Sequence, residues 1–381
     1  MILTQCAACA APLGLSLGKK CGRCSTRYCG PECQKKSWEE GGHDKLCKKI
    51  KKAGGAEQYN ANKKHAEAVA VAVEKCADDT KGQTCFICTQ ALHWKTKEGL
   101  VRGCSCRGTA GFAHVSCLAE QAKILVAEAE ENNLDWKAKS LRWKRWHTCG
   151  LCEQDYHGVV RGALGWACWK TYVGRPETDV DRGMAMGVLA NGLASADHHE
   201  DAVSVYEAEL SMRQRLGACG SAFWASEYTM LTLYSNLARA YQRVERFDES
   251  LRMRRDVYSG FSKLYGEQHG DTLTVASNLA NLLVDLGRIE EAKALLRKTT
   301  PVARRVLGDG HDITLKLRRA YAMALYRADG ATLDDIREAV TTLEDAERIA
   351  RRVLGGAHPV VAGGFEASLQ EARAVLRARS A

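Results

Sequence analysis

The sequence predicts a multidomain chain: two small cysteine-rich modules followed by an all-α solenoid built from helical repeats. Three observations carry this. Of 17 cysteines, 14 form two runs within the first 152 residues. Beyond residue 184 the composition shifts to Ala, Leu, Arg and Glu, with apolar positions at helical spacing. That second half also repeats: Asn236-Leu237-Ala238 recurs 42 residues later as Asn278-Leu279-Ala280.

The first run is Cys6-x2-Cys9, Cys21-x2-Cys24, Cys29-x3-Cys33 and His43-x3-Cys47; the second is Cys85-x2-Cys88, Cys104-x-Cys106, His114-x2-Cys117 and Cys149-x2-Cys152. Each run offers eight ligands, seven Cys and one His. A structural zinc takes four, so the spacing predicts four Zn2+ ions. A Cys-x2-Cys turn aims two thiolates at one metal about 2.3 Å away, whereas its Cα–Cβ vectors suit a disulfide poorly. Residues Met1 to Cys6 lack the basic and long apolar regions of a signal peptide. A reducing compartment is therefore expected, the cytoplasm or else the nucleus, where clustered cysteines read as metal sites. Cys76, Cys168 and Cys219 are left over. None has a base nearby in sequence, and all three read as inert small hydrophobes with no catalytic role.

A chain of 381 residues has room for two or three domains. It has no run of 18 apolar residues, so no membrane-spanning helix is expected. The formal charge of +9 lies wholly in residues 1–180, with 28 Lys+Arg against 19 Asp+Glu; residues 181–381 balance at 27 each. Fourteen thiolates and four Zn2+ would bring the total to about +3, which argues against nucleic-acid binding through bulk charge. The cluster Lys48-Lys49-x-Lys51-Lys52 reads either as a solvated helix face or as an import patch.

The spacing over residues 1–47, with the helical tail Cys33-Gln34-Lys35-Lys36-Ser37-Trp38 before His43 and Cys47, resembles the MYND zinc finger. The resemblance implies a cross-brace, with Cys6, Cys9, Cys29 and Cys33 on one zinc and Cys21, Cys24, His43 and Cys47 on the other. It also implies a protein-interaction module for short peptides. Trp38 is either a groove residue or part of the zinc scaffold. So short a segment cannot bury enough core to fold without metal. The Gly14–Gly18 stretch reads as a loop, and residues 48–84 as a basic helical linker.

The words Cys85-Phe86-Ile87-Cys88, Cys104-Ser105-Cys106-Arg107-Gly108-Thr109 and His114-Val115-Ser116-Cys117-Leu118 resemble the RING-CH (RING-variant) domain over residues 85–152. A PHD finger shares the ligand order. Its third and fourth cysteines stand further apart, however, and its step to His is shorter. The resemblance implies a zinc held by Cys85, Cys88, His114 and Cys117 and another held by Cys104, Cys106, Cys149 and Cys152. It implies a ubiquitin ligase that binds an E2 ubiquitin-conjugating enzyme, with Ile87 as an apolar E2 contact; the alternative for Ile87 is a place in a small core. Two features depart from the family. Gln121 stands where the family has an E2-groove Trp, and the insert from Leu118 to Thr148 is long. Trp136, Trp143 or Trp146 from that insert is a candidate substitute.

Residues 153–183 read as an aromatic extension packed on the zinc module, then a linker at Arg175-Pro176. In residues 184–381, Leu264 to Thr272 recurs as Leu307 to Thr314 and again as Leu354 to Val360, and Ala202 marks an earlier copy. This resembles the long tetratricopeptide repeats of kinesin light chains. The resemblance implies four helix pairs and a capping helix, with a concave surface for a peptide or partner helix. Small residues such as Ala238, Ala280 and Ala292 would let helices approach. His269, His311 and His358 read as capping residues of the turns and not as metal ligands. The functional expectation is a RING-CH-type E3 ubiquitin-protein ligase in which MYND finger and repeats recruit protein ligands. The alternative is a non-enzymatic interaction scaffold. A chromatin reader is disfavoured by the Cys104-Ser105-Cys106 spacing. A methyltransferase is excluded because no SET-like segment is present.

Overall fold

The computed structural model describes residues 6–11, 13, 18–219, 226–354 and 360–380. Gly14 and His358, with the turn around it, lie outside them. The chain divides into two compact units, Met1–Ser226 and Glu227–Ala381.

The first unit begins with β1 (Lys19–Lys20) paired antiparallel to β2 (Arg27–Tyr28). Gly18, at φ +96°, crosses so close to the ribbon that a Cβ would sit 2.6 Å from the Tyr28 carbonyl oxygen. Helix α1 (Pro31–Glu39) starts on a proline, whose missing N–H costs nothing at a first turn. Helix α2 (His43–Lys52) presents His43 and Cys47 one turn apart on its buried side, while Lys48, Lys49, Lys51 and Lys52 crowd its last turns. Those lysines therefore stand on a regular helix end, where positive charge is favoured by the helix dipole.

Residues 48–84 do more than link. Helix α3 (Ala56–Lys75) buries Ala61, Val69 and Ala72 and packs on a later helix, and α4 (Ala77–Thr80) follows. After an irregular stretch come α5 (Val115–Glu131), α6 (Trp136–Trp143) and a 3-10 turn, Lys144–Trp146. Asp135 caps α6, its carboxylate accepting the Ala138 N–H at 2.7 Å. Helix α7 (Gly158–Tyr172) is apolar on nearly every side and forms the centre of the unit, in contact with α3, α5 and α8 (Val180–Ser195). Glycines permit that closeness. A Cβ at Gly165 would lie 3.2 Å from the Leu189 Cα, and one at Gly192 would lie 2.8 Å from the Arg161 carbonyl oxygen. Helix α9 (His199–Ala218) packs back on α8. Asp181, buried at the start of α8, receives Arg175 at 2.8 Å and Lys139 at 3.0 Å, and Arg175 also reaches Glu130 at 3.0 Å. This network ties the α5–α6 hairpin to α8. Burial, then the nearby Glu130, raises the Asp181 carboxyl to about 6.

The second unit stacks three helix pairs: α10 (Glu227–Arg243) with α11 (Phe247–Tyr265), α12 (Gly270–Asp285) with α13 (Ile289–Leu307), and α14 (Asp312–Tyr326) with α15 (Leu333–Leu354). A π-helical turn at Val360–Phe365 leads to α16 (Glu366–Ser380), which packs on α14 and α15. Each pair contacts chiefly its neighbours, the property of a solenoid. The repeated word is explained residue by residue. Gly266 and Gly308, at φ +80° and +89°, end α11 and α13. His269 and His311 cap the next helices, each Nδ1 accepting a backbone N–H at 3.2 Å, from Asp271 and Ile313. Thr272 and Thr314 are buried and donate to the carbonyls of Phe261 and Ala303 on the preceding helix. Ala238, Ala280 and Ala292 are wholly buried where helices meet. The pair α8–α9, which holds Ala202, falls within the first unit. No described helix is long and apolar enough to cross a membrane.

Two outcomes follow from this packing. Gly192→Val forces α7 from α8 and should lower the stability of the first unit by about 1–3 kcal/mol, measured by denaturant titration followed on tryptophan fluorescence. His311→Ala removes one cap and should cost the second unit about 1 kcal/mol, read by hydrogen exchange in α14.

Candidate metal centres

Four groups of side chains converge, and in each the four ligand atoms lie within 4.8 Å of one another: Cys6, Cys9, Cys29 and Cys33; Cys21, Cys24, His43 and Cys47; Cys85, Cys88, His114 and Cys117; Cys104, Cys106, Cys149 and Cys152. The grouping is interleaved along the chain in both modules, so each module is a cross-brace.

The turns that hold these ligands share one backbone design. In the pairs starting at Cys6, Cys21, Cys85 and Cys149, the amide of the fifth residue donates back to the carbonyl of the first cysteine, at 2.9, 2.9, 2.8 and 3.1 Å. That fifth residue has positive φ each time: Ala10 58°, Ser25 61°, Thr89 61° and Glu153 55°. The turn points both sulfurs to one side. The amides of Ile87 and Leu151 then donate to the sulfurs of Cys85 and Cys149, both at 3.4 Å. A fifth turn has the same geometry without cysteine: Lys97, at φ 59°, donates to the His93 carbonyl at 2.9 Å. Its side chains close on each other, His93 Nδ1 meeting the Thr96 hydroxyl at 2.9 Å and amide at 3.1 Å. The remaining ligands come from helices: Cys33 from α1, His43 and Cys47 from α2, and Cys117 from the first turn of α5.

The distances fit tetrahedral zinc. Ligands about 2.3 Å (S) and 2.0–2.1 Å (N) from the ion stand about 3.8 Å apart for S···S and about 3.6 Å for S···N. Cys9–Cys29, Cys21–Cys47 and Cys106–Cys149 are 3.7, 3.9 and 3.8 Å apart, and Cys29–Cys33 is closer at 3.3 Å. His43 Nε2 is 3.4 Å from Cys24; His114 Nδ1 is 3.4 Å from Cys88 and 3.6 Å from Cys117. All cysteines are free of disulfides. Beyond His114, its Nε2 lies 3.3 Å from the Ala91 carbonyl, the partner that orients a ligating imidazole. Glu98 receives the Ser116 amide and hydroxyl at 2.7 and 2.8 Å, placing a carboxylate at the N-terminus of α5. The thiols favour a divalent ion electrostatically. At Cys6, burial opposes ionisation, but the amides of Ala8, Cys29 and Cys9 outweigh it and bring the thiol to about 6; at Cys33, hydrogen bonding to Cys29 and Cys9 pushes it up to about 12. One thiolate forms readily and its neighbours resist, which a cation relieves.

The four sites therefore fit Zn2+, and each supplies four protein ligands with no open position. Their exposure differs: the Cys21 group is wholly buried, whereas Cys9 and Cys29 are exposed. Of the other cysteines, Cys76 and Cys168 are buried and Cys219 is exposed at the end of α9. Burial raises the Cys168 thiol well above its ordinary value.

Ile87 is exposed (37%) and stands outside any core. Leu151 is the residue sequence reasoning missed. It is also exposed, and it occupies the same place in Cys149-Gly150-Leu151-Cys152 as Ile87 in Cys85-Phe86-Ile87-Cys88, a shared word that marked it. Gln121 on α5 lies next to Gly150, whose Cβ would stand 3.9 Å from Gln121 Oε1. Trp143 and Trp146 are not available as substitutes there: both are buried against Tyr172 of α7, with ring centroids 5.0 and 5.9 Å away. Trp136 is exposed at the far end of the insert, at the start of α6. Trp38 is half-exposed and packs edge-on against the ligand His43 at 5.7 Å, so it belongs to the scaffold while presenting a free face.

This geometry defines a zinc-stapled protein with a helical-repeat unit, and comparison with known proteins supplies the particulars. The MYND finger family matches residues 6–47, the RING-variant domain residues 85–134, and the tetratricopeptide repeat residues 229–305 and 271–332. The chain thus carries a MYND finger, a RING-variant domain and tetratricopeptide repeats. The RING-variant match stops short of Cys149 and Cys152, which the fold brings to Cys104 and Cys106. No curated protein matches the chain. Solved structures similar to it include the kinesin light chain TPR-like repeats of Podosopora anserina (18% identity, 63% of this chain and 98% of that one, TM-score 0.41) and a variant of those repeats (20%, 63% and 97%, 0.41). Another is BtubC (BKLC) from P. vanneervenii (18%, 70% and 92%, 0.39).

Native mass spectrometry should count four zinc ions per chain. A chelator should remove one first, from the exposed Cys6–Cys9–Cys29–Cys33 site, and Cys33→Ser should abolish that early phase alone. Complete removal should unfold both zinc modules while the helical signal of the second unit persists.

Proposed function

We propose that this chain is an E3 ubiquitin-protein ligase of the RING-CH type. The RING-variant domain would hold a ubiquitin-charged E2, and the MYND finger and repeat solenoid would recruit substrate or partner proteins. The observation that carries the reading is the pair of interleaved sites at Cys85–Cys152, which fixes Ile87 and Leu151 as exposed apolar residues on two zinc turns. Such a ligase needs no nucleophile. The E2 carries ubiquitin as a thioester; a substrate lysine amine attacks its carbonyl, the isopeptide bond forms as the C–S bond breaks, the E2 thiol leaves with the proton the amine gives up, and the ligase contributes by fixing the pose. The zinc ions are structural, and the buried Cys76 and Cys168 take no part. Reduced thiols and the ubiquitin system together imply work in the cytoplasm or the nucleus.

A second reading, a non-enzymatic interaction scaffold, is favoured by one observation: Gln121 occupies the expected Trp position, and Trp143 and Trp146 are buried elsewhere. Autoubiquitination across a panel of E2 enzymes separates the two. The ligase reading expects ubiquitin chains with some E2, reduced at least tenfold by Ile87→Ala and absent in Cys106→Ser. No chains with any E2, from protein holding four zinc ions, would leave the scaffold.

A further inference from the structure

Between its sixth and seventh zinc ligands the second module adds α6 and the 3-10 turn, both beyond the residues matched by the RING-variant family. Residues 136–148 contain Lys137, Lys139, Arg142, Lys144 and Arg145 and no carboxylate. Their side chains divide in two directions. Trp143 and Trp146 turn inward to Tyr172, and Lys139 joins Glu130 and Asp181. Leu141, Arg142, Lys144 and Arg145 instead line a cleft of about 510 Å3, together with Leu125 of α5 and with Thr148 and Glu153 of the fourth zinc turn.

This cleft adjoins the place where the E2 contact is expected. Arg145 Nη1 donates to the Cys149 carbonyl at 3.1 Å, which holds the guanidinium against the zinc turn. A Cβ at Gly150 would stand 3.9 Å from both Arg145 Nη1 and Gln121 Oε1, so Gln121, Gly150 and Arg145 form one continuous surface. Where the family has an indole, this chain has an amide beside an arginine. The cleft wall is apolar at Leu125 and Leu141, the latter 55% exposed, and its rim is cationic. Arg142 has Glu128 at 3.6 Å, and Lys144 is exposed with no ion pair among the described residues. Among the described residues, Glu153 is the one acidic side chain lining it.

We propose that this cleft is a specificity element of the ligase: it selects E2 enzymes that carry an acidic side chain next to an apolar one at the edge of their ligase-binding surface. The inference rests on the ligase reading. Charge complementarity argues for it: Arg142, Lys144 and Arg145 line the cleft with Glu153 as their one acidic neighbour in the lining, Arg142 alone being paired among the described residues, to Glu128 outside it, around an apolar wall in continuity with the Gln121–Gly150 surface. A nucleic acid fits less well, because Trp143 and Trp146, the indoles between the cleft's cations, are buried and offer no face for stacking there.

The test measures binding of the full, zinc-loaded chain to a panel of purified E2 enzymes, free and as stable ubiquitin conjugates, by biolayer interferometry at low and high salt. The expected result is that acid-edged E2s bind most tightly and lose affinity with salt. Lys144→Glu and Arg142→Glu should each weaken those E2s about threefold to tenfold and leave neutral-edged E2s unchanged, and a Glu→Lys change on the E2 should restore binding to Lys144→Glu. Unchanged E2 affinity in both variants, with Ile87→Ala still abolishing binding, would overturn the inference and leave the ligase reading intact. Binding of no E2 by the wild type would overturn both. A loss confined to ubiquitin conjugates would assign the acid to ubiquitin. Loss of single-stranded oligonucleotide binding with E2 affinity intact would assign the cleft to nucleic acid. Either of these last two results overturns the proposal.

Discussion

The first half of this molecule depends on one constraint: a turn must present two sulfurs to the same point in space. The backbone meets it with an amide donated back to the first cysteine's carbonyl and a fifth residue at positive φ. Three of those fifth residues, Ala10, Thr89 and Glu153, are types that seldom adopt that conformation. In the first module, too short to bury a large core, metal binding would help to hold such turns in place. The His93–Thr96 turn is informative here. It keeps the same backbone and replaces the ion with a hydrogen bond between its own side chains. The turn is thus a backbone motif in its own right, and the side chains decide whether a metal is part of it.

Around the second module the chain has built outward. Helix α7, buried on nearly every face, collects the two tryptophans of the insert, the length of α3, and the α8–α9 pair. The Asp181 network then fastens α5–α6 to α8 through one buried carboxylate met by partly exposed charges. The zinc turns are therefore mounted on a helical body, and the surface they expose is positioned by packing as well as by metal.

What was legible in the sequence was legible because its physics is local. Metal-ligand spacing is a property of single turns, so the ligand pairs and the number of ions could be read from short words, while the convergence of residues as distant as Cys6 and Cys33 was implied by the family resemblance. The capping role of His269 and His311 was legible because a cap is set within one turn, whereas the buried hydroxyls of Thr272 and Thr314, which reach the preceding helix, emerged only from the packing. What was not legible came from packing at long range. Residues 48–84 looked like a linker because the contact face of α3 is mostly Ala with one Val, and residues 153–172 looked like an extension because α7 is buried on nearly every side, so neither gives a clear amphipathic period. Only the facing backbones of Gly165 and Gly192 reveal how close those helices come. Trp143 and Trp146 carried the same ambiguity. An aromatic in a basic stretch can point either way, and Tyr172 of α7 decided it.

The interleaving of the ligands has a consequence for synthesis. Ligands are complete for the first ion at Cys33, for the second at Cys47, for the third at Cys117 and for the fourth only at Cys152. A chain emerging from its N-terminus can therefore close its ions in numerical order, each closure leaving fewer free thiolates exposed to wrong partners. The last step waits longest, because α5, α6 and the turn after them must emerge before Cys104 and Cys106 find their mates. During that interval two thiols stand ready with no second pair, and the nascent chain is most vulnerable to oxidation there.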